Sequence, residues 1–177
     1  MKEKSLSIEA GKAETSCQVC PIAEVMMKLI TEELLDTVTS RAKENSRLRM
    51  NYNFHASMDA PIHRLLNALE PGTYLPPHRH TDKEETYLVL RGSLLVFFYD
   101  DAGNVTDKVC LNLEGKYGLE IPSNTWHSII ALESGTVIFE IKKGPYQPLS
   151  SEDLASWAPQ TSDVEGIKAF MKRMLEL

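Results

Sequence analysis

The stretch PGTYLPPHRHTDKEETYLVLRG, residues 71–92, decides how this chain is read. Two histidines stand one residue apart, with a Pro-Pro step before them and paired glutamates after them. The segment closes on ETYLVLRG, a strand pattern that ends at a glycine turn. On an extended backbone residues i and i+2 leave the same face, so the imidazoles of His78 and His80 can converge on one point. Pro76 and Pro77 have no amide hydrogen to donate, which places this strand entry at a sheet edge or a bulge.

A third nitrogen donor stands at His127, within IPSNTWHSII, and a carboxylate at Glu84 or Glu85. Three imidazoles and one carboxylate suit one divalent transition metal ion: Fe, Mn, Ni, Co or Zn. Four protein ligands leave open positions for water or substrate on an ion that prefers five or six. Strict alternation from His78 and His80 points to Glu84, but the TDKE break interrupts the parity, so spacing alone leaves both glutamates open.

Outward from this segment the chain reads as many short strands. Leu48, Met50, Tyr52 and Phe54 alternate with Arg49, Asn51 and Asn53, flanked by Arg47 and His55, which is the period of a half-buried strand. Its polar face has two readings. It is a solvated face or homodimer surface, or it is the wall of a pocket where Arg47, Arg49, Asn51 and His55 grip an anionic or hydroxylated ligand through guanidinium forks. HRLLNALE, SLLVFFYD, VTDKVCLNL, GLEIP, TWHSIIALE and GTVIFEIKK follow as further strands, separated by turn signals. His63, Arg64 and Asn67 read as structural. Tyr87, Phe97, Phe98 and Trp126 read as core aromatics, with Trp126 also placed to shield a pocket.

Helical patterns occur only at the two ends. A short strand at MKLI precedes a helix capped by Thr31, with Glu32 and Glu33 in its first turn and Leu34, Leu35, Val38 and Ala42 on one face. SSEDLASWAP and DVEGIKAFMKRMLEL read as a short and a longer terminal helix, with Ser151 and Asp163 as candidate caps. The expected class is mainly β, a sandwich or barrel with flanking helices.

With 177 residues, 42% of them hydrophobic, the chain suits one domain. Its net charge of −6 repels a phosphate backbone, which argues against nucleic acid as a partner. No apolar run approaches the roughly 20 residues of a membrane span, and the charged N-terminus lacks a signal-peptide core, so a cytoplasmic location is expected. Cys17 and Cys20 have the Cys-x-x-Cys spacing of a metal or redox pair, but no second pair completes a zinc site, so with Cys110, read as buried packing, they are expected to be reduced thiols.

The pattern Gly72, His78, His80, Glu85, Gly92 resembles the first cupin motif, and Pro122, Asn124 and His127 resemble the core of the second. Asn124 stands where glycine is usual, and Ala131 where asparagine is usual. A longer match, in SRLRMNYNFH, RLLNALEPGTYLPPHRH, EIPSNTWHSIIALESGTV, KKGPY and DLASWAP, is similar to the WbuC family of cupin-fold metalloproteins, found among bacterial O-antigen and polysaccharide biosynthesis genes. The resemblance implies a single jelly-roll-like β-barrel over residues 27–160, a flexible extension over 1–26 and a C-terminal helix over 161–177. It implies metal ligation by His78, His80, Glu85 and His127, the cupin spacing selecting Glu85. As function it implies a metal-dependent isomerase, epimerase or oxygenase acting on a sugar or small polar metabolite, for which His55 and Glu120 are candidate bases. The alternative is a module that binds a sugar or sugar nucleotide without turnover.

Overall fold

The computed structural model describes residues 27–177. Helix α1 (Glu32–Glu44) starts where the sequence asks it to: the Thr31 hydroxyl accepts a hydrogen bond from the Leu34 amide, and Glu32 and Glu33 face the positive helix end. Eight strands follow: β1 (Arg49–Asn53), β2 (Ile62–Leu69), β3 (Glu85–Arg91), β4 (Leu94–Tyr99), β5 (Val105–Leu111), β6 (Gly118–Ile121), β7 (Trp126–Ala131) and β8 (Thr136–Lys143). Helix α2 (Val164–Glu176) closes the chain, its N-terminus capped by Asp163.

All pairings between these strands are antiparallel. One sheet has the order β1-β2-β8-β3-β6 and the other β5-β4-β7. Alternation then sorts every strand onto two faces. On the outer face of the larger sheet, Met50, Tyr52, Leu66, Ala68, Val137 and Phe139 pack with Leu35, Val38 and Ala42 of α1. On the outer face of the smaller sheet, Phe97, Tyr99, Trp126 and Ile130 pack with Phe170 and Met174 of α2. Between the sheets lie Leu69, Tyr87, Val89, Leu94, Val96, Ile129 and Ile138. Every residue of β7 is buried, because a strand with apolar cover on both sides has no solvent face.

Two expected elements are absent from the described residues. Met27–Ile30 form no strand and are exposed. SSEDLASWAP is not a helix but a run of turns, because its backbone pairs with the histidine segment instead: Asp153 accepts from the Arg79 amide, Ala155 donates to Pro77, each at 3.0 Å, and Leu154 bridges His78. Cys17, Cys20 and the expected N-terminal extension over residues 1–26 lie outside the described residues, and Cys110 is half-buried. Among the described residues no helix is long and apolar enough to cross a membrane.

Gly92 makes the turn from β3 to β4 with φ of 72°, and a Cβ there would lie 2.5 Å from the Thr136 hydroxyl oxygen and 3.0 Å from its backbone. Gly92→Ala is therefore expected to lose about 1–3 kcal/mol of stability through left-handed strain and that clash. Thermal or urea denaturation checks it; an unchanged midpoint would show that the turn relaxes freely.

Candidate metal centre

The inward face of the larger sheet is apolar at one end and polar at the other. Register explains the division, since residues opposite one another share a face. One inward row runs His63, Lys142, Glu85, Ile121, and the next runs Leu65, Glu140, Tyr87, Leu119. Asn51, Asn67 and Ile138 form another. The polar groups of these rows line a cavity of about 550 Å³, and His78 and His80 enter it from the facing side.

His78, His80 and Glu85 bring one ligand atom each to within 4.8 Å of one another. His127 adjoins this trio: its ring centroid lies 4.4 Å from that of His78, and its Nε2 lies 3.3 Å from Glu85 Oε2. Backbone pairing brings the two histidine segments together. His78 and His127 exchange both amide hydrogen bonds, at 3.0 and 2.9 Å, and the Asn124 amide donates to the His80 carbonyl. Asn124 takes φ of 59°, so it serves in the left-handed turn where the cupin pattern has glycine. Glu85 opens β3 and is buried, whereas Glu84 is exposed.

The hydrogen bonds of the rings assign their protons. His78 Nδ1 lies 3.0 Å from the Pro76 carbonyl and His127 Nδ1 lies 2.9 Å from the Thr125 carbonyl. A carbonyl only accepts, so Nδ1 carries the proton in each and Nε2 of the neutral ring presents a lone pair. The Nε2 atoms of His80 and His127 are buried without a hydrogen-bond partner, although Glu85 oxygens stand 3.0 and 3.3 Å away. With its ring neutral, His127 turns a lone pair to a Glu85 oxygen in a dry place, an arrangement that either a proton on Nε2 or a metal cation relieves. Imidazole with carboxylate is a donor set that divalent transition metals take.

Tyr87, read from the sequence as a core aromatic, and Lys142, which that reading passed over, hold Glu85 in place. The Tyr87 hydroxyl donates to Oε2 at 2.7 Å, and Lys142 Nζ donates to Oε1 at 2.9 Å. Lys142 also reaches Glu140 at 2.6 Å, and Asn67 Nδ2 donates to the other Glu140 oxygen at 3.2 Å. Burial alone would raise the Glu85 carboxyl, but the His127 and His80 rings and the Lys142 charge outweigh it and hold it well below the usual range. Burial likewise opposes the charge on Lys142, yet Glu140 and Glu85 keep its ammonium above the ordinary lysine range. The signal was present in TVIFEIKK, where Glu140 and Lys142 fall on the inward parity of an apolar strand.

Arg47, Arg49 and Asn51 line the same cavity as His78, His80 and Glu85. His63 and Asn67, read as structural, line it too. His55 is not part of that lining: its ring stacks on His63 at 4.1 Å between centroids, behind the cavity wall. Glu120 is exposed on β6, outside the cavity. Trp126 faces away from it, its Nε1 donating to Asp101 at 2.9 Å with the Arg79 guanidinium 4.4 Å over its ring.

A family model described as "Domain of unknown function (DUF6016)" matches residues 30–111. No curated protein matches the chain. Among solved structures, KdgF from Halomonas sp. is similar at TM-score 0.45 and 17% identity, over 56% of this chain and 82% of that one. A cupin superfamily protein from Desulfitobacterium hafniense is similar at 0.43 and 18%, over 54% and 76%. L-ribose isomerase from Cellulomonas parahominis is similar at 0.47 and 16%, over 56% and 62%. The fold class is mainly β: two antiparallel sheets closed over a core, with helices on both flanks.

Burial, and the His127 ring beside it, lower the His78 pKa from 6.5 to about 3. Between those values the unfolded chain binds the proton and the folded chain does not, so stability rises with pH across this window and is lost as pH falls through it. The depressed Glu85 carboxyl acts in the same direction at lower pH, as it must be protonated on unfolding in acid. For chelator-treated protein the melting temperature is expected to fall steadily from pH 7 to pH 4, and His78→Asn should flatten that slope. A wild-type melting temperature independent of pH over this range would contradict the assignment.

Proposed function

We propose that this chain is a cupin metalloprotein that holds one divalent transition metal ion on His78, His80, Glu85 and His127, and uses the cavity beside it to act on a sugar or small polar metabolite. The observation that carries the reading is the pair of buried, unpartnered Nε2 atoms of His80 and His127 facing the Glu85 carboxylate. Nδ1–H bonds to backbone carbonyls orient His78 and His127, as in metal sites where the second nitrogen fixes the tautomer and ring angle. Tyr87 and Lys142 orient Glu85 in the same way. When bound, such an ion polarises a carbonyl or hydroxyl of the substrate, or activates oxygen if it is iron. The chain's own residues would position the substrate, exclude bulk water and keep Glu85 ionised.

Isomerase, epimerase and oxygenase chemistry are the enzyme classes that fit this site. The similarity of the chain's segments to the WbuC family supports a role in O-antigen or other surface-polysaccharide synthesis, in the cytoplasm. A second reading, a module that binds a sugar or sugar nucleotide without turnover, is favoured by one observation: His55 and Glu120, the candidate bases, both lie outside the cavity lining.

His78→Ala and His127→Ala are each expected to weaken metal affinity at least about tenfold while leaving a folded barrel, and Glu85→Gln should lower metal content more than Glu84→Gln. Elemental analysis after dialysis, with circular dichroism as the fold control, measures both. Full metal content in the two histidine variants would sink the ligand set. Turnover of sugars by the loaded wild type, set against binding alone, separates enzyme from module.

A further inference from the structure

The polar cavity has a charge that the chain as a whole does not. The protein carries a net charge of −6, yet Arg47, Arg49, Lys83, Lys142 and Lys143 line the cavity against only two carboxylates, Glu85 and Glu140. Lys142 engages both of those carboxylates, which leaves one negative charge against the four remaining cations. Lys143 reaches Asp82 at 3.7 Å, on the exposed rim. Among the described residues Arg47, Arg49 and Lys83 make no ion pair.

The backbone that carries the two arginines is held in place. Leu48 between them takes a left-handed backbone with φ of 55°, pinned by the Glu70 amide and the Thr73 hydroxyl, which donate to its carbonyl at 3.0 and 2.5 Å. A bulky residue rarely adopts that conformation, and here the surrounding bonds over-determine it. Arg49 is half-buried, and burial together with the neighbouring Arg47 charge lowers its pKa. Glu140 offsets that only in part, so an anion bound by the two arginines would stabilise the half-buried guanidinium. Farther along the same wall, the Asn67 side-chain oxygen is buried without a partner, an acceptor ready for a hydroxyl.

We propose that the cavity is built for a polyhydroxy anion: a molecule of monosaccharide size whose hydroxyl or carbonyl oxygens face His78, His80 and Glu85 while its phosphate or carboxylate lies on Arg47 and Arg49. The proposal rests on the metal reading of the same cavity and specifies the substrate class. A volume of about 550 Å³ accommodates such a molecule. Arginine is the side chain that binds either anionic group through two parallel hydrogen bonds.

Calorimetric titration of the manganese-dialysed full chain with glucose 6-phosphate, gluconate and glucose tests it, since the three share one carbon skeleton and differ in the anionic group. At least one anion should bind roughly tenfold or more tighter than glucose, and which one does identifies the group. Arg47→Gln and Arg49→Gln should each weaken that anion about tenfold to a hundredfold, and Arg49→Lys should restore only part of the loss. Glucose binding and the melting temperature should not move. Arg47 is exposed, so its variant stays informative even if Arg49→Gln perturbs folding. Equal affinity for all three compounds, no binding of either anion, or unchanged anion affinity in both glutamine variants overturns the proposal. Anion binding that persists in a wild type that takes up no metal would refute the metal reading and leave this one standing, whereas full metal uptake without anion preference does the reverse.

Discussion

A single buried carboxylate organises the polar half of this molecule. Glu85 has 2% of its surface exposed, and an ion taken from water into such a place loses on the order of several kcal/mol of hydration. Compensation comes from an ammonium and a hydroxyl within 3 Å, and the rest of the site follows from where those partners must stand. Lys142 needs a second carboxylate to stay charged in the same low dielectric, which accounts for Glu140, and Glu140 in turn takes the Asn67 amide. What remains uncompensated is the edge that faces His80 and His127. There the unpartnered Nε2 atoms of His80 and His127 stand 3.0 and 3.3 Å from its oxygens.

The placement of that edge depends on the layered construction. Helices α1 and α2 cover the outer faces of the two sheets, so both inward faces are free to meet each other. Where the inward rows are Leu, Val and Ile they close into a core; where they carry Glu85, Lys142, Glu140 and Asn67 they face residues 75–80 and 145–149 across a cavity. The segment with His78 and His80 is too short and too proline-bound to form a full strand. It is held by single bridges to His127 on one side and Leu154 on the other. Those bridges explain why the C-terminal SSEDLASWAP stretch gives up the helix its composition favours: its backbone groups are needed to satisfy those of residues 77–79.

Much of this was legible in the chain. Period-two alternation marked β1, short strand-like segments between turn signals marked the other seven strands, and Thr31 and Asp163 marked the two helix starts through a side-chain acceptor and an acidic first turn. Short-range spacing put His78 beside His80, because an extended backbone repeats every second residue. The same rule failed at Glu84 and Glu85. Between His80 and β3 the chain bends at Thr81 and Asp82, and alternation does not carry across a bend; the cupin spacing, which carries the turn implicitly, points to Glu85.

By itself, then, the sequence determined most of the local terms: eight strands and two capped helices, which side chains can ligate a metal, and that the chain is mainly β, though not the MKLI and SSEDLASWAP segments. Only the tertiary structure decided what depends on pairing between distant segments. Register across β2, β8 and β3 aligned His63, Lys142 and Glu85 in one row, although they lie far apart in the chain. It also set Arg47 and Arg49 on the cavity wall and turned His55 behind it, a difference that the strand pattern of SRLRMNYNFH does not contain. The physical reason is that a strand's own period fixes which residues share a face, while the fate of that face, water, core or cavity, is fixed by what packs against it.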